Sequence, residues 1–285
     1  MDDSGARHAG RMRVGTSGWR YSSWRGDFDP RGLVQRDELR YIGTHFSTVE
    51  LNGSFYSLQR PESYLRWRSS VPEGFLFAVK GSRYITHMLR LRNTEQALAN
   101  FFASGVLALD DALGPILWQL PARLDFDGDA LAGFLGSLPR TTAQALALAR
   151  QHDERLEGRS WLRGGHDRPL RHALEPRSES FRTERLHDLL KEHGVALAVA
   201  DTAGRWPRFD ARTADFAYLR LHGSRELYAS GYSTDELREW AALCRERAGD
   251  GEDVHVYFDN DARGHAPHDA RALADLVGDE PESSS

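Results

Sequence analysis

The chain has 285 residues, enough for one large domain or two modest ones. Some 40% of them are apolar, 28% charged and 10% aromatic, which is ordinary globular composition and excludes a collagen-like, coiled-coil or wholly disordered chain. Lys and Arg number 37 against 42 Asp and Glu, a formal charge of −5 with a pI near 6.2, so no global basic field draws the chain to nucleic acid or acidic lipid.

Residues 1–11 are polar and Gly/Ala-rich and read as an unstructured N-terminal tail, without the apolar core of a secretion signal. From residue 12 a short apolar run ending in polar residues recurs eight times. The runs are MRVGTSG (12–18), TVELN (48–52), LFAVKG (76–81), PILWQLP (115–121), RHALEPR (171–177), VALAVAD (195–201), AYLRLHG (217–223) and VHVYFDND (254–261). Helical patterns lie between most of them, as at 37–46, 93–109, 180–194 and 233–249. Ser180 and Ser233 are placed to cap the last two, and Gly194 and Gly249 to end them. The terminal GDEPESSS (278–285) reads as a second tail.

Strands alternating with helices build parallel βαβ units, and eight of them at this length predict a single (β/α)8 TIM-type barrel over 12–277. A doubly wound sheet would need a Gly-rich dinucleotide turn after the first strand, and none is present. The connection 122–170 is too long for one helix. It predicts an insertion between strands four and five, with two helices and a polar excursion, above or beside the barrel.

Side chains two apart on a strand share a face, so Glu50 pairs with Asn52, Glu175 with Arg177, and Arg220 with His222. Lys80, Gln119, Asp201 and Asp259 occupy matching strand ends. Charge is costly inside a barrel unless paired, so these ends predict one polar cluster at the C-terminal face, where barrel enzymes work. Ion pairs closing the barrel top, such as Glu50–Lys80 and Glu175–Arg177, would give the same pattern. Aromatics converge there too: Trp19, Tyr21 and Trp24 after strand one, Phe55 and Tyr56 after strand two, Tyr228 and Tyr232 after strand seven. They suit a stacking platform or mutual loop packing, and Arg20 and Arg25 would add local positive charge.

Other signals fall away. G-T-S-G-W lacks the second glycine of a nucleophile elbow. Asp125, Asp127 and Asp129 lack the glycine and glutamate of a calcium loop, with Ala130 and Gly136 in those places. His265 and His268 stand without a further ligand. The single cysteine, Cys244, excludes a disulfide framework and reads as a buried thiol in a helix. No run is long and apolar enough to span a membrane, and mean hydropathy is −0.57, so a cytoplasmic location is expected.

The chain resembles the DUF72 (YecE-like) family of TIM-barrel proteins over about residues 13–275. The resemblance is carried by G-T-S-G-W (15–19) with Tyr21 and Trp24, T-V-E-L-N-G-S-F-Y (48–56), F-L-F-A-V-K (75–80) and I-T-H (85–87). It continues in I-L-W-Q-L-P (116–121), L-R-L-H-G (219–223) and V-Y-F-D-N-D (256–261). It implies a site at Glu50, Asn52, Lys80, His87, Arg220, His222, Asp259 and Asn260, but no reaction. Where such sequences commonly read E-x-R-H-x-S-F/W, this chain has Ser178 for the histidine, and Pro176 would remove a ladder donor.

The leading expectation is an acid–base enzyme, of hydrolase or isomerase/lyase type, for a small anionic sugar- or phosphate-containing substrate. Glu50, His222 and Asp259 would be catalytic; Asn52, Lys80, His87, Gln119, Glu175, Arg177, Asp201, Arg220, Asn260, Trp19 and Tyr56 would bind substrate. Lys80, Arg177 and Arg220 would hold the anion. Glu50, Glu175, Asp201, His222 and Asp259 also offer oxygen and nitrogen donors for Mg2+ or Mn2+. Alternatives are a nucleic-acid processing enzyme stacking a base on Trp19, Tyr21 and Trp24, which the charge disfavours, and a ligand-binding protein without turnover.

Overall fold

In the computed structural model, residues 9–279 and 281 are described. Nine parallel strand segments form one sheet: β1 (Met12–Ser17), β2 (Thr48–Leu51), β3 (Leu76–Lys80), β4 (Leu113–Gln119), β5 (His172–Glu175), β6 (Ala196–Leu197), β7 (Val199–Asp201), β8 (Phe216–Leu221) and β9 (Asp253–Phe258). The order β6-β5-β4-β3-β2-β1-β9-β8-β7 leaves β6 and β7 at the two ends, separated in the chain by Ala198 alone. They are halves of one stave: the first pairs with β5, the second with β8, and the sheet becomes a TIM-type barrel of eight staves. The sixth of the expected strands is thus split, with Ala198 N bonded to Leu174 O across the break.

The helices are α1 (Glu38–Gly43), α2 (Gly53–Tyr56), α3 (Pro61–Ser69), α4 (Glu95–Ala103), α5 (Gly128–Ser137), α6 (Thr142–Ala149), α7 (Glu184–His193), α8 (Thr234–Gly249) and α9 (Ala266–Val277). Ser233 and Glu236 close a reciprocal capping box at the start of α8. Two sequence expectations about helix ends are corrected. Thr183, not Ser180, caps α7, because Ser180 Oγ is taken by Phe126 N (2.9 Å). Gly251 rather than Gly249 adopts the left-handed turn after α8 (φ +94°).

Strand alternation separates two apolar layers. Val49, Phe77, Val79, Trp118, Leu219, Leu221 and Phe258 face outward into the helical layer. Ala78, Leu117, Ala173, Ala196, Ala198, Phe216, Tyr218 and Tyr257 fill the barrel interior. Alanines from β3, β5 and the split stave leave room for Tyr218 and Tyr257, whose rings lie 5.0 Å apart. Above this layer the inward positions turn polar.

The long insertion carries α5 and α6, as expected, and lies beside the barrel rather than over its mouth. It is tied down near the strand N-termini, by Arg168 Nη1 on Leu113 O (3.2 Å) and Trp161 N on Ala103 O (2.7 Å). Packed chain also extends beyond 12–277. Gly10 N bonds to Ala248 O, and the Asp279 carboxylate accepts from Val14 N and Ser47 Oγ, each at 2.7 Å. The rest of the expected tails, 1–8, 280 and 282–285, lies outside the described residues. Among the described residues no helix is long and apolar enough to cross a membrane.

Candidate functional site

Arg220 sits at the centre of the barrel's C-terminal end, fully buried, because β8 turns Tyr218 and Arg220 inward. Its Nε and Nη2 grip both oxygens of Glu50 (3.0 and 2.8 Å), while Nη1 reaches Glu175 (2.9 Å) and Nη2 also reaches Asp259 (2.9 Å). Glu50 further accepts from Ser17 Oγ and from Tyr218 OH (2.6 Å). Arg177 Nε completes Glu175 at 2.6 Å, and its guanidinium lies 3.9 Å over the Trp206 ring. Glu50, Glu175 and Asp259 therefore face Arg220, Arg177 and Lys80, three charges of each sign.

Electrostatics follow from this balance. Burial alone would push the Glu175 and Asp259 carboxyls up. Arg177 and Arg220 instead hold Glu175 well below its usual range, and Arg220 with His222 holds Asp259 at about 2. Burial and the Arg220 charge push His222 down, so its imidazole is neutral at pH 7. His222 Nε2 lies 3.3 Å from Arg220 Nη1, and Nδ1 lies 3.1 Å from Asp259 Oδ2 without being aligned as a hydrogen bond. Gly223 follows in a left-handed turn (φ +109°) in which a side chain would strike Glu226 O.

Lys80 is different. Among the described residues its ammonium has no carboxylate within ion-pair distance; it lies over Phe55, with Nζ 4.4 Å from the ring centre. Burial and Arg220 lower it to about 8, against the opposing pull of Glu50, Asp259 and Glu175. His87 stacks edge-on against the same ring (5.2 Å), and burial with Lys80, Arg83 and Arg177 lowers it to about 4. Asn52 donates to Ser17 Oγ (2.8 Å), leaving its buried Oδ1 unpartnered beside a cleft of about 310 Å³ lined by Trp19, Tyr21, Asn52 and Trp67. A larger cavity, about 500 Å³ between Arg68, Glu73 and Asp111, opens at the opposite end of the strands.

The structure thus brings Glu50, Asn52, Lys80, Glu175, Arg177, Arg220, His222 and Asp259 together, with His87 at the rim. Gln119 also points to the interior but spends Nε2 on Leu120 O (2.7 Å). Other expected members are elsewhere. Asp201 pairs in register with outward-facing Leu221, and its carboxylate accepts from Tyr232 OH (2.9 Å). Asn260 turns away to Asp269 and Ser230. Tyr56 is 70% exposed on a neighbouring groove. Trp24 is fully buried with Nε1 on Asp261 and offers no stacking face, whereas Trp19 packs edge-on against Trp67 and lines the cleft beside Asn52. Arg20 and Arg25 lean toward Glu38 (3.9 Å each). The arginine expected to fork an anion, Arg220, is consumed by carboxylates of the protein itself.

These residues do not fit a divalent metal. Arg220 lies between the carboxylates that would be its ligands, Asp201 faces the other way, and no group of three or more candidate ligands occurs among the described residues. Pro176 removes no ladder donor, because β5 ends at Glu175, and Ser178 caps the short turn that follows.

The model of the family described as "protein of unknown function DUF72" matches residues 13–284. The chain belongs to the DUF72 family. It is similar to the UPF0759 protein YecE of Escherichia coli K12, at 27% identity over 198 residues, 65% of this chain and 70% of that one. It is also similar to the UPF0759 protein YunF of Bacillus subtilis 168, at 23% identity over 93% of this chain and 94% of that one. Among solved structures, a DUF72 family protein of Thermotoga maritima superposes with TM-score 0.75 at 23% identity, covering 94% of this chain and 99% of that one. One from Enterococcus faecalis does so with TM-score 0.69 at 16% identity, covering 96% and 100%. These superpositions carry the barrel fold.

In this DUF72 chain, sequence reasoning missed Ser17, Tyr218 and Asp261. The alternation that places Arg220 inward also places Tyr218 inward, and β1 register sets Ser17 against Glu50. Asp261 is buried, and desolvation with the Asp259 charge holds it well above the ordinary carboxyl range, while Trp24 and Tyr21 oppose that shift. Asp261→Asn, which mimics the protonated form, is expected to cost less than about 1 kcal/mol. Asp259→Asn strips a charge from Arg220 and should cost about 2–3 kcal/mol. Equal losses in urea unfolding of the two variants would contradict this assignment.

Proposed function

We propose that the C-terminal mouth of the barrel is the active site of an acid–base enzyme acting on a small anionic, sugar- or phosphate-containing substrate. The observation that carries this reading is Lys80: a nearly buried cation (8% exposed) left without a direct carboxylate contact at the top of a network in which every other charged group sits in an ion pair. Arg177 supplies the second anchor, since Trp206 and Glu175 fix its plane while its Nη atoms have no carboxylate partner among the described residues.

Asp259, whose side chain is 19% exposed, is the network carboxylate nearest solvent, and His222 behind it shares its field. That pair is placed to take or return a proton, while Glu50, closed off by four donor groups, positions Arg220. Asn52 Oδ1 is a free acceptor for a substrate hydroxyl. The buried Trp24 and the net charge of −5 favour a small molecule over a nucleic acid. The buried thiol of Cys244, raised to about 12, is compatible with a reducing cytoplasm.

The test is a thermal-shift screen of phosphorylated sugars, sugar acids and nucleotides, followed by product analysis of whatever stabilises. At a hundredfold excess over Kd, a ligand should raise Tm by about 4–8 °C. Arg177→Met should lose most of that rise. If no anion shifts the parent, the reading fails; stabilisation without turnover leaves a binding protein.

A further inference from the structure

We propose that Lys80 is a nucleophile that forms an imine with a carbonyl carbon of the substrate. This deepens the reading of the mouth as an anion-binding active site and rests on it. Two lysines occur among the 37 basic residues of the chain, Lys80 and Lys191, the other 35 being arginine. Lys191 lies exposed on α7. The ion-pairing positions around the mouth, Arg177 and Arg220, follow the arginine habit of the chain. Were position 80 required only for charge, a guanidinium would serve and would bind an anion with a better fork. A lysine offers what arginine cannot, a nitrogen that gives up its proton near neutral pH and carries a reactive lone pair.

The geometry suits that use. Lys80 is the last residue of β3, with its side chain on the interior face it shares with Ala78. Its backbone is fixed by Ser54 Oγ on its carbonyl (2.7 Å) and by Gly81 N on Leu117 O (2.8 Å). Phe55 provides an apolar wall against Nζ. The surrounding titratable groups are Arg220, Glu50, Glu175, Asp259 and His87. Glu50 accepts from four donor groups and Glu175 from Arg220 and Arg177, and neither lies within ion-pair distance of Lys80 to lock it as ammonium. With burial and Arg220 lowering Lys80 to about 8, about a tenth is neutral at pH 7.

In the reaction, neutral Nζ attacks the carbonyl carbon and a C–N bond forms as the C=O π pair moves to oxygen. The resulting carbinolamine loses its oxygen as water. One proton of that water comes from Nζ and the other from solvent at the mouth, and the iminium keeps the second Nζ proton. No oxidant or reductant is needed. Arg177 would hold the carboxylate or phosphate of the same molecule, so a 2-oxo acid or a phosphorylated ketose or aldose is the class that fits.

The experiment is reductive trapping of the intact protein with cyanoborohydride and pyruvate, glyoxylate or dihydroxyacetone phosphate, read by intact mass and peptide mapping. The expected result is a single saturable adduct at Lys80, formed at least tenfold faster than at Lys191 and rising with pH to a plateau above about 8. Lys80→Arg, which keeps the charge, should remain folded by circular dichroism and lose the adduct. Equal labelling of both lysines, or none at Lys80, overturns the proposal, and this readout on the parent protein stands even if the variant misfolds. Lactate and glycerol 3-phosphate, which lack the carbonyl, separate the two readings. If they stabilise the protein while trapping fails, the anion site survives and the imine falls. If Lys80 is trapped as readily by neutral acetaldehyde, the imine stands and the anionic substrate class falls.

Discussion

Replacing Arg220 with methionine is expected to destabilise the protein by about 3–5 kcal/mol at pH 7, a large part of a typical domain's stability. The cause lies in what is left behind. Glu50 and Glu175 are fully buried and lose their shared cation, and Asp259 loses its closest one. Lys80 and Arg177 remain, two positive charges against three negative, and neither can reach Glu50 in the bidentate geometry Arg220 uses. Glu50→Gln should cost about 3 kcal/mol for the complementary reason, an arginine short of one counter-charge. Because each single change strands the other's partner, the double variant should lose clearly less than the sum. The sign of the pH effect gives an independent check. Without Arg220 the Glu175 and Asp259 carboxyls bind protons more readily in the folded state, so the gap between parent and variant should narrow as pH falls toward 4. Urea unfolding of the parent, both single variants and the double variant at pH 7 and 4.5 measures all of this. An Arg220→Met protein as stable as the parent would mean that Arg220 serves ligand rather than fold.

The second large effect is loss of stability in mild acid, driven by two histidines remote from the mouth. His255 faces the barrel interior near Phe216, with both ring nitrogens buried and unpartnered. Burial first, then Arg171 and Arg13, push it down to about 3 against a weaker pull from Asp253. His172 accepts from Trp118 Nε1 (3.2 Å) at Nδ1 and donates from Nε2 to Pro139 O (2.7 Å), which fixes the neutral tautomer. Burial lowers it to about 4 despite the Pro139 bond. Both folded values lie below the unfolded value near 6.5, so above that pH neither histidine affects the balance. Below it the unfolded chain binds protons first, and stability is lost as pH falls from 6.5 through 4 toward 3. Each histidine contributes about 2 kcal/mol of loss between pH 6.5 and 5. Glu175 and Asp259 add to the loss once pH passes below their unfolded values, whereas Asp261, raised in the fold, works in the opposite direction. His255→Phe should therefore be close to neutral at pH 7 and gain about 2 kcal/mol on the parent at pH 5. Parallel stability–pH curves for the two proteins would exclude His255 as a source of acid sensitivity.

How far such a site can be read in advance depends on the range of the interactions that make it. The barrel is legible because its determinants are local. Each parallel strand, covered on both faces, must be a short apolar run, and the helices between them carry their own periodicity and caps. Inward direction is local too. Counting by two along β8 places Arg220 inside and Leu219 and Leu221 outside, as found. The same count on the split stave, from Ala196, Ala198 and Ala200, puts Asp201 outside. That signal was present in the sequence and was overridden by the position of Asp201 at a strand end. The scarcity of lysine, which singles out Lys80, is likewise open to inspection of the chain alone.

Partnership is not local. That Arg220 grips Glu50, 170 residues away, instead of presenting its fork to a ligand depends on depth along the barrel axis, which the stagger of eight staves sets jointly. The burial of Trp24 on Asp261, 237 residues distant, depends on how two loops close over each other. Sequence alone determined the barrel, the face that carries the polar strand ends and most of the residues that meet there. The tertiary structure decided which of those charges pair in direct contact and which, at Lys80, stands apart from them, because a Coulomb energy depends on separations that only the closed barrel defines.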